Sequence, residues 1–137
     1  MRGQKGFTFL EIMVVVVILG ILSALVIPRY LSRVEQAKKT QAVLQIREVM
    51  KALELYKLDN GTYPTTEQTL AALVKKPETP PAPKNWHQYL DKVPNDPWGH
   101  PLQYVSPGSH GLFDLFSLGP DGQEGGEDDL LSWALPD

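Results

Sequence analysis

Acidic side chains dominate the C-terminal third of this sequence and could bind a metal ion. The last Lys or Arg is Lys92, and eight acids follow it: Asp96, Asp114, Asp121, Glu124, Glu127, Asp128, Asp129 and Asp137. Five of them crowd into residues 121–129, where three glycines separate them. Such a loop suits Ca²⁺, a hard ion that takes roughly six to eight oxygen ligands at variable angles. The spacing of these acids does not match an EF-hand. From the residues alone, a solvated acidic loop without a bound ion is an open alternative.

The histidines and serines do not compose a recognisable catalytic site. His87, His100 and His110 fall in separate loops, without the HExxH or His-x-His spacing of a catalytic metal. Ser109 and His110 could join an Asp in a triad, but no nucleophile-elbow or oxyanion motif accompanies them. The glycines of residues 119–126 lack the strand-to-helix turn and the Lys of a phosphate-binding loop. The sequence therefore predicts a chain that is not an enzyme.

Composition excludes several further classes of site. The 137 residues suffice for one domain of ordinary size. They include no cysteine, which excludes disulfides, thiolate metal sites and cysteine chemistry. The formal net charge of −3 gives no support to nucleic-acid binding.

One charged residue, Glu11, lies within an otherwise apolar N-terminal segment. An ionisable group inside a bilayer costs about 2.5–3.5 kcal/mol on insertion scales, so this carboxylate needs a partner. A chain cleaved before Phe7 would offer a free amine, in its own copy or in a neighbouring one. Alternatively, the carboxylate lies at the headgroup level, near the end of the span. The residues alone leave both possibilities open.

The segment around Glu11 predicts a transmembrane helix. Residues 7–28 read FTFLEIMVVVVILGILSALVIP, which reaches the length of about 20 residues that a bilayer requires. A secretory signal peptide would be shorter and would end in a small-x-small cleavage site, of which Ser23-Ala24 is a poor version. A buried core helix is disfavoured because so small a domain could not cover residues 14–19 on all sides. Basic residues flank the span on both sides and do not decide its orientation.

An amphipathic helix follows and should continue the membrane helix. Apolar residues recur at spacings of four, three, four and three, on one helical face: Ala42, Ile46, Val49, Leu53 and Tyr56. The pattern predicts a helix from about residue 31 to about residue 58, ending at residues 59–61. Gly20 and Pro28 are the weak points of a continuous helix, because Pro removes a helical hydrogen bond.

The remaining residues predict a small head of mixed structure. Thr65 with Gln68, or Thr66 alone, can cap a short helix over residues 67–75, and the prolines of residues 77–83 prevent regular structure after it. Alternating and β-rich segments predict three strands, over residues 102–105, 112–117 and 130–133. The predicted fold is α+β: a long N-terminal α-helix, transmembrane in its first half, packed on a head with a short helix and a three-stranded antiparallel sheet.

The first residues resemble those of a known superfamily. Gly6-Phe7-Thr8-Phe9-Leu10-Glu11, after a basic leader, resembles the prepilin signature that type IV pilins and type II secretion pseudopilins share. The resemblance implies cleavage between Gly6 and Phe7 on the cytoplasmic side, then N-methylation of Phe7, by a prepilin peptidase and N-methyltransferase. It also implies that Glu11 meets the terminal amine of an adjacent subunit during assembly.

Later segments narrow the resemblance to the major pseudopilins of type II secretion. Residues 60–68, 96–99, 110–114 and 117–123 are similar to segments of that family. Type IV major pilins usually close their C-terminal loop with a disulfide, which this chain cannot form. The division that the resemblance implies is a cleaved leader at 1–6, a membrane and filament-core helix at 7–28, its amphipathic continuation at 29–60 and a pilin-like head at 61–137.

The resemblance also implies a calcium site in the acidic loop, because major pseudopilins bind Ca²⁺ there. Matched residue by residue, the carboxylates of Asp121, Asp128 and Asp129 would be ligands. Backbone carbonyls of Leu118 and Gln123 would join them. The ion would replace the missing disulfide and tie the last segment to the sheet.

A mechanical function is what the resemblance implies. Many copies would pack their apolar helices into a helical filament in the periplasm, which grows from the inner membrane and helps push folded proteins through an outer-membrane channel. The implied partners are further copies, minor pseudopilins and an inner-membrane assembly platform. The implied location is the inner membrane of a Gram-negative type bacterium, crossed once, with the head in the periplasm. A type IV pilus subunit and a single-pass anchor with a calcium-binding head are the alternatives.

Overall fold

One helix, α1, runs from Phe9 to Asn60 and accounts for most of the regular structure. The computed structural model describes residues 6–135, so the predicted leader lies outside the described residues apart from Gly6. α1 passes Pro28 without interruption, which confirms that the apolar and the amphipathic segments form one helix. The chain divides into two compact units, Met1–Ala37 and Lys38–Asp137, and α1 contributes to both.

The first unit contains the apolar part of α1. Its most hydrophobic 18-residue stretch has a mean hydropathy of 3.0, and none of it is buried. By length and composition it can cross a membrane, and among the described residues no other helix can. The alternative of a buried core helix does not hold, because the large apolar side chains from Phe7 to Leu31 are all exposed.

The second unit has its core on one face of α1. Six residues of the helix are buried, and all except Ala52 were predicted from the sequence pattern: Ala42, Ile46, Val49, Ala52, Leu53 and Tyr56. Most of them form one cluster with apolar residues from the rest of the head: Leu70, Ala72, Leu73, Leu102 and Leu115. The helical half of the fold and the sheet therefore share a single hydrophobic core.

The short helix after α1 is less regular than predicted. Its capping box forms as expected, since the Thr65 N–H donates to Gln68 Oε1 at 3.0 Å and the Gln68 N–H donates to Thr65 Oγ1 at 3.2 Å. However, the prediction of a helix over all of residues 67–75 is wrong, because within them only a 3₁₀ turn forms, at Leu70–Leu73. Thr69 has a φ of 56° and caps that turn with its own hydroxyl, so the α-helical path is interrupted there.

The sheet has three antiparallel strands, as predicted: β1 at Gln103–Val105, β2 at Asp114–Ser117 and β3 at Leu130–Leu131. β2 is central, with Gln103 opposite Phe116 on one side and Leu130 opposite Ser117 on the other. The strands are shorter than the predicted segments. β3 ends early because Ser132 begins a 3₁₀ turn, and its hydroxyl, not a backbone carbonyl, accepts the Leu115 N–H at 3.2 Å.

The two leucines of α1 at positions 53 and 55 provide a matched test of this packing. Leu53 is 0% exposed and Leu55 is 51% exposed. We expect Leu53→Ala to lower the unfolding free energy of the head by about 2–5 kcal/mol, because it leaves a cavity, and Leu55→Ala to change it by less than about 0.5 kcal/mol. Urea unfolding followed by tryptophan fluorescence measures both, since all three tryptophans lie after residue 61. Equal losses would contradict the assigned core face.

Candidate metal centre and the sites around it

The acidic loop connects β2 to β3 and brings together the three carboxylates that were predicted to be ligands. Asp121, Asp128 and Asp129 each present an oxygen within 4.8 Å of the others. Asp121 is exposed, and the other two are half-buried. Glu124 and Glu127 are exposed and do not belong to this group. The loop therefore separates three clustered carboxylates from two solvated ones.

Backbone N–H groups hold these carboxylates in place. The Gln123 N–H donates to Asp121 Oδ1 at 2.9 Å, and the Gly125 N–H donates to Asp129 Oδ2 at 2.8 Å. The second oxygen of Asp129, Oδ1, is buried and has no hydrogen-bond partner. A buried carboxylate oxygen without a donor is costly, and a divalent cation among the three carboxylates would satisfy it. The donor set, made only of oxygens, fits a hard ion such as Ca²⁺.

Of the two predicted backbone ligands, one precedes the three carboxylates in the chain and the other lies between Asp121 and Asp128. Leu118 is half-buried and directly follows β2, and Gln123 is exposed within the loop. Ligation by the carbonyls of Leu118 and Gln123 stays a prediction.

A buried network next to the loop was not predicted as part of the site. Asp96 Oδ1 accepts the N–H groups of Trp98 at 3.1 Å and His100 at 2.8 Å, and Asp96 Oδ2 accepts the Ser117 hydroxyl at 2.7 Å. His100 Nδ1 then lies 3.1 Å from the Gly119 carbonyl. The sequence offered one signal for this network, the turn residues Asp96-Pro97-Trp98-Gly99, but it did not show that the turn meets the acidic loop.

A second carboxylate, Asp114 of β2, organises the loop between β1 and β2. Its carboxylate accepts hydrogen bonds from the Ser109 N–H at 2.9 Å and from the His110 N–H at 3.1 Å. Its Oδ2 also lies 3.1 Å from His110 Nδ1. The His110 ring stacks on Trp133 with centroids 4.0 Å apart. Burial favours a raised pKa for Asp114, but the hydrogen bonds from Ser109 and His110 outweigh it and lower the pKa below its ordinary value.

The predicted processing and assembly residues lie at the exposed start of α1. Gly6, Phe7 and Glu11 are exposed. Thr8 caps the helix, since its Oγ1 accepts the Glu11 N–H at 3.2 Å. The spacing of positions 8 and 11 is that of a capping box, of which this bond is the Thr8 half. Cleavage after Gly6, methylation of Phe7 and an assembly role for Glu11 stay predictions.

Each histidine contacts a different aspartate. His87 Nδ1 lies 3.4 Å from Asp59, whereas His100 and His110 belong to the networks of Asp96 and Asp114. In the described part of the chain they do not share a catalytic constellation.

Comparisons with known proteins match almost the whole chain. Residues 29–133 match the family described as "Type II secretion system (T2SS), protein G", and residues 1–27 match the "Prokaryotic N-terminal methylation motif". The chain is 58% identical to type II secretion system core protein G of Pseudomonas aeruginosa over 96% of both chains. It is 52% identical to the protein of the same name in Vibrio cholerae, over 100% of this chain and 97% of that one.

A solved structure is similar as well. The crystal structure of the major pseudopilin from the type 2 secretion system of enterohaemorrhagic Escherichia coli has a TM-score of 0.70 and 40% sequence identity. The match covers 77% of this chain and 94% of that one. A fold of the pilin type is therefore confirmed.

The lowered pKa of Asp114 predicts how stability depends on pH. Its contribution is complete above the ordinary value of 3.8 and is lost as the pH falls through the lower folded value. We expect Asp114→Asn to destabilise the head at pH 7 and the difference from the parent to shrink as the pH falls below 3.8. Urea unfolding in EDTA at each pH measures this, with the exposed Asp91→Asn as control. A difference that grows in acid would contradict the assigned direction.

Proposed function

We propose a function on one premise: the chain belongs to the family of type II secretion system protein G. It is a structural subunit of the type II secretion pseudopilus, a filament that helps to drive folded proteins through the outer-membrane channel. The alternative of a type IV pilus subunit is not favoured, because the relatives are named as core protein G and the solved neighbour is a major pseudopilin. The observation that carries the proposal is the match of residues 29–133 to protein G of the type II secretion system, and the N-terminal methylation motif joined to an exposed apolar segment agrees with it.

The exposed helix explains how the subunit can be both anchored and polymerised. Its apolar side chains need either lipid or other apolar side chains around them. In the inner membrane, lipid covers the segment, and in the filament the helices of neighbouring copies replace it. The segment can therefore leave the bilayer only as copies assemble, with the head in the periplasm throughout.

Processing would create the partner that Glu11 needs. Cleavage between Gly6 and Phe7 by a prepilin peptidase frees an amine four residues before Glu11, and the N-methylation motif supports this step. The Glu11 carboxylate would pair with the Phe7 amine of an adjacent copy and set the register of the filament. Pairing also lowers the cost of a charge at this depth of the membrane.

We propose that Ca²⁺ closes the acidic loop. Asp121, Asp128 and Asp129 would hold the ion with the carbonyls of Leu118 and Gln123. The cluster and the unsatisfied Asp129 oxygen support this assignment. Because the loop joins the central strand β2 to the last strand β3, the ion would fix the C-terminal segment as a disulfide does elsewhere.

The partners follow from the same assignment. Further copies, minor pseudopilins and an inner-membrane assembly platform would contact the chain, and the prepilin peptidase and N-methyltransferase would modify it. The family is one of structural subunits, and we propose no catalytic role for the chain.

Substitutions of Glu11 test the role of its charge. Gln keeps the size and the helix-starting preference of Glu but carries no charge. If the carboxylate pairs with the Phe7 amine, Glu11→Gln and Glu11→Leu will both be cleaved normally yet will assemble poorly. N-terminal mass spectrometry measures cleavage, and electron microscopy of sheared filaments measures assembly. Normal filaments from Glu11→Gln would contradict the proposed pairing of charges.

A thermal melt tests the calcium site. With Ca²⁺ about a thousandfold above its dissociation constant, the ion should stabilise the head by roughly 4 kcal/mol. We expect the melting temperature of the full chain in detergent micelles to rise in Ca²⁺ relative to EDTA, with a smaller rise in Mg²⁺. Asp121→Ala should abolish the rise, and Glu124→Ala should retain it. Equal melting of the parent in EDTA and Ca²⁺ would refute the site.

A further inference from the structure

The buried network outside the acidic loop meets the loop at its first glycine. We propose that Asp96, Ser117 and His100 form a brace that fixes Gly119 in the conformation that the cation site requires, with His100 as a positioning residue. This inference rests on the calcium binding proposed above. Sequence reasoning assigned His100 to a separate loop, and the brace adds a residue that does not itself ligate the ion.

Both backbone polar groups of Gly119 make hydrogen bonds to side chains. Its N–H donates to Ser117 Oγ at 3.2 Å. Its carbonyl lies 3.1 Å from His100 Nδ1, and because a carbonyl can only accept, Nδ1 must carry the proton in this contact. The Ser117 hydroxyl in turn donates to Asp96 Oδ2 at 2.7 Å. Both restraints on Gly119 therefore lead back to the same carboxylate.

The base of the brace is rigid. Asp96 and Ser117 are 4% and 0% exposed, and the Asp96 side chain accepts bonds on both oxygens. The backbone also closes on itself, because the Asp96 N–H donates to the His100 carbonyl at 2.8 Å. Buried and satisfied polar networks of this kind specify one local geometry. His100 therefore starts from a fixed backbone position.

The braced turn contacts a ligand directly. Gly119 has a φ of +65°, and a β-carbon there would lie 2.5 Å from the Asp128 carbonyl oxygen and 3.0 Å from Asp128 Oδ2. The other end of the same turn rests on the histidine, since a β-carbon at Gly122 would lie 2.8 Å from His100 Nε2. Asp121 lies between these two glycines in the chain. Removal of the imidazole would free the turn that positions both Asp121 and Asp128.

Calorimetric titration of Ca²⁺ into the full chain in detergent micelles tests the brace. We expect His100→Ala to weaken binding about fivefold or more, as the loss of one hydrogen bond implies. His100→Asn should recover most of the affinity, because its amide can donate to Gly119 from a similar position. His87→Ala is the matched control, since His87 contacts Asp59 away from the acidic loop, and it should bind as the parent does.

Melting in EDTA separates positioning from general stability. A positioning role requires that His100→Ala lose calcium affinity while its melting temperature in EDTA stays close to that of the parent. Parent-like affinity in His100→Ala would overturn the brace alone. The brace would also be overturned if His100→Ala lowered the melting temperature in EDTA in parallel with the calcium affinity and His100→Asn did not restore it. A parent chain that binds no Ca²⁺ would overturn the calcium site itself, and the brace with it.

Discussion

The apolar side chains at the start of α1 require a cover that the described part of their own chain does not provide. From Phe7 to Leu31 the large hydrophobic side chains are between 48% and 81% exposed. An apolar surface of this extent is not stable in water and marks an interaction with a membrane or with other proteins. Lipid and identical helices are both able to cover it. A subunit that passes from bilayer to filament, as proposed above, would exchange one cover for the other.

The same helix serves the head in a different way. Between Ala42 and Tyr56 the buried residues lie on one face of the helix, and most of them share a core with Leu73 and Leu115. The head would lack half of its core without these turns of α1. These turns of α1 therefore belong to the core of the head as the sheet does.

The parts of the fold that depend on local periodicity could be predicted from the sequence. Spacings of three and four identified the buried face of α1, and the alternation at residues 114–117 identified the central strand. The short helix was overpredicted because the pattern of residues 67–75 does not reveal that Thr69 adopts a positive φ. The brace could not be predicted because His100 and Gly119 are 19 residues apart, and nothing local requires their contact.

The acidic loop shows why a bound ion is a reasonable substitute for a disulfide in this head. Folding brings three carboxylates within 4.8 Å of one another, and no Lys or Arg follows Lys92 to compensate their charge. Backbone donors satisfy several of these oxygens but remove none of the charge, so the folded loop retains a repulsion that a divalent cation would neutralise. Unlike a covalent bond, a bound ion contributes a stabilising free energy of RT ln(1 + [L]/Kd), which varies with the concentration of the ion. In the proposed site, the stability of the C-terminal segment is therefore set by the calcium of the compartment that surrounds the head.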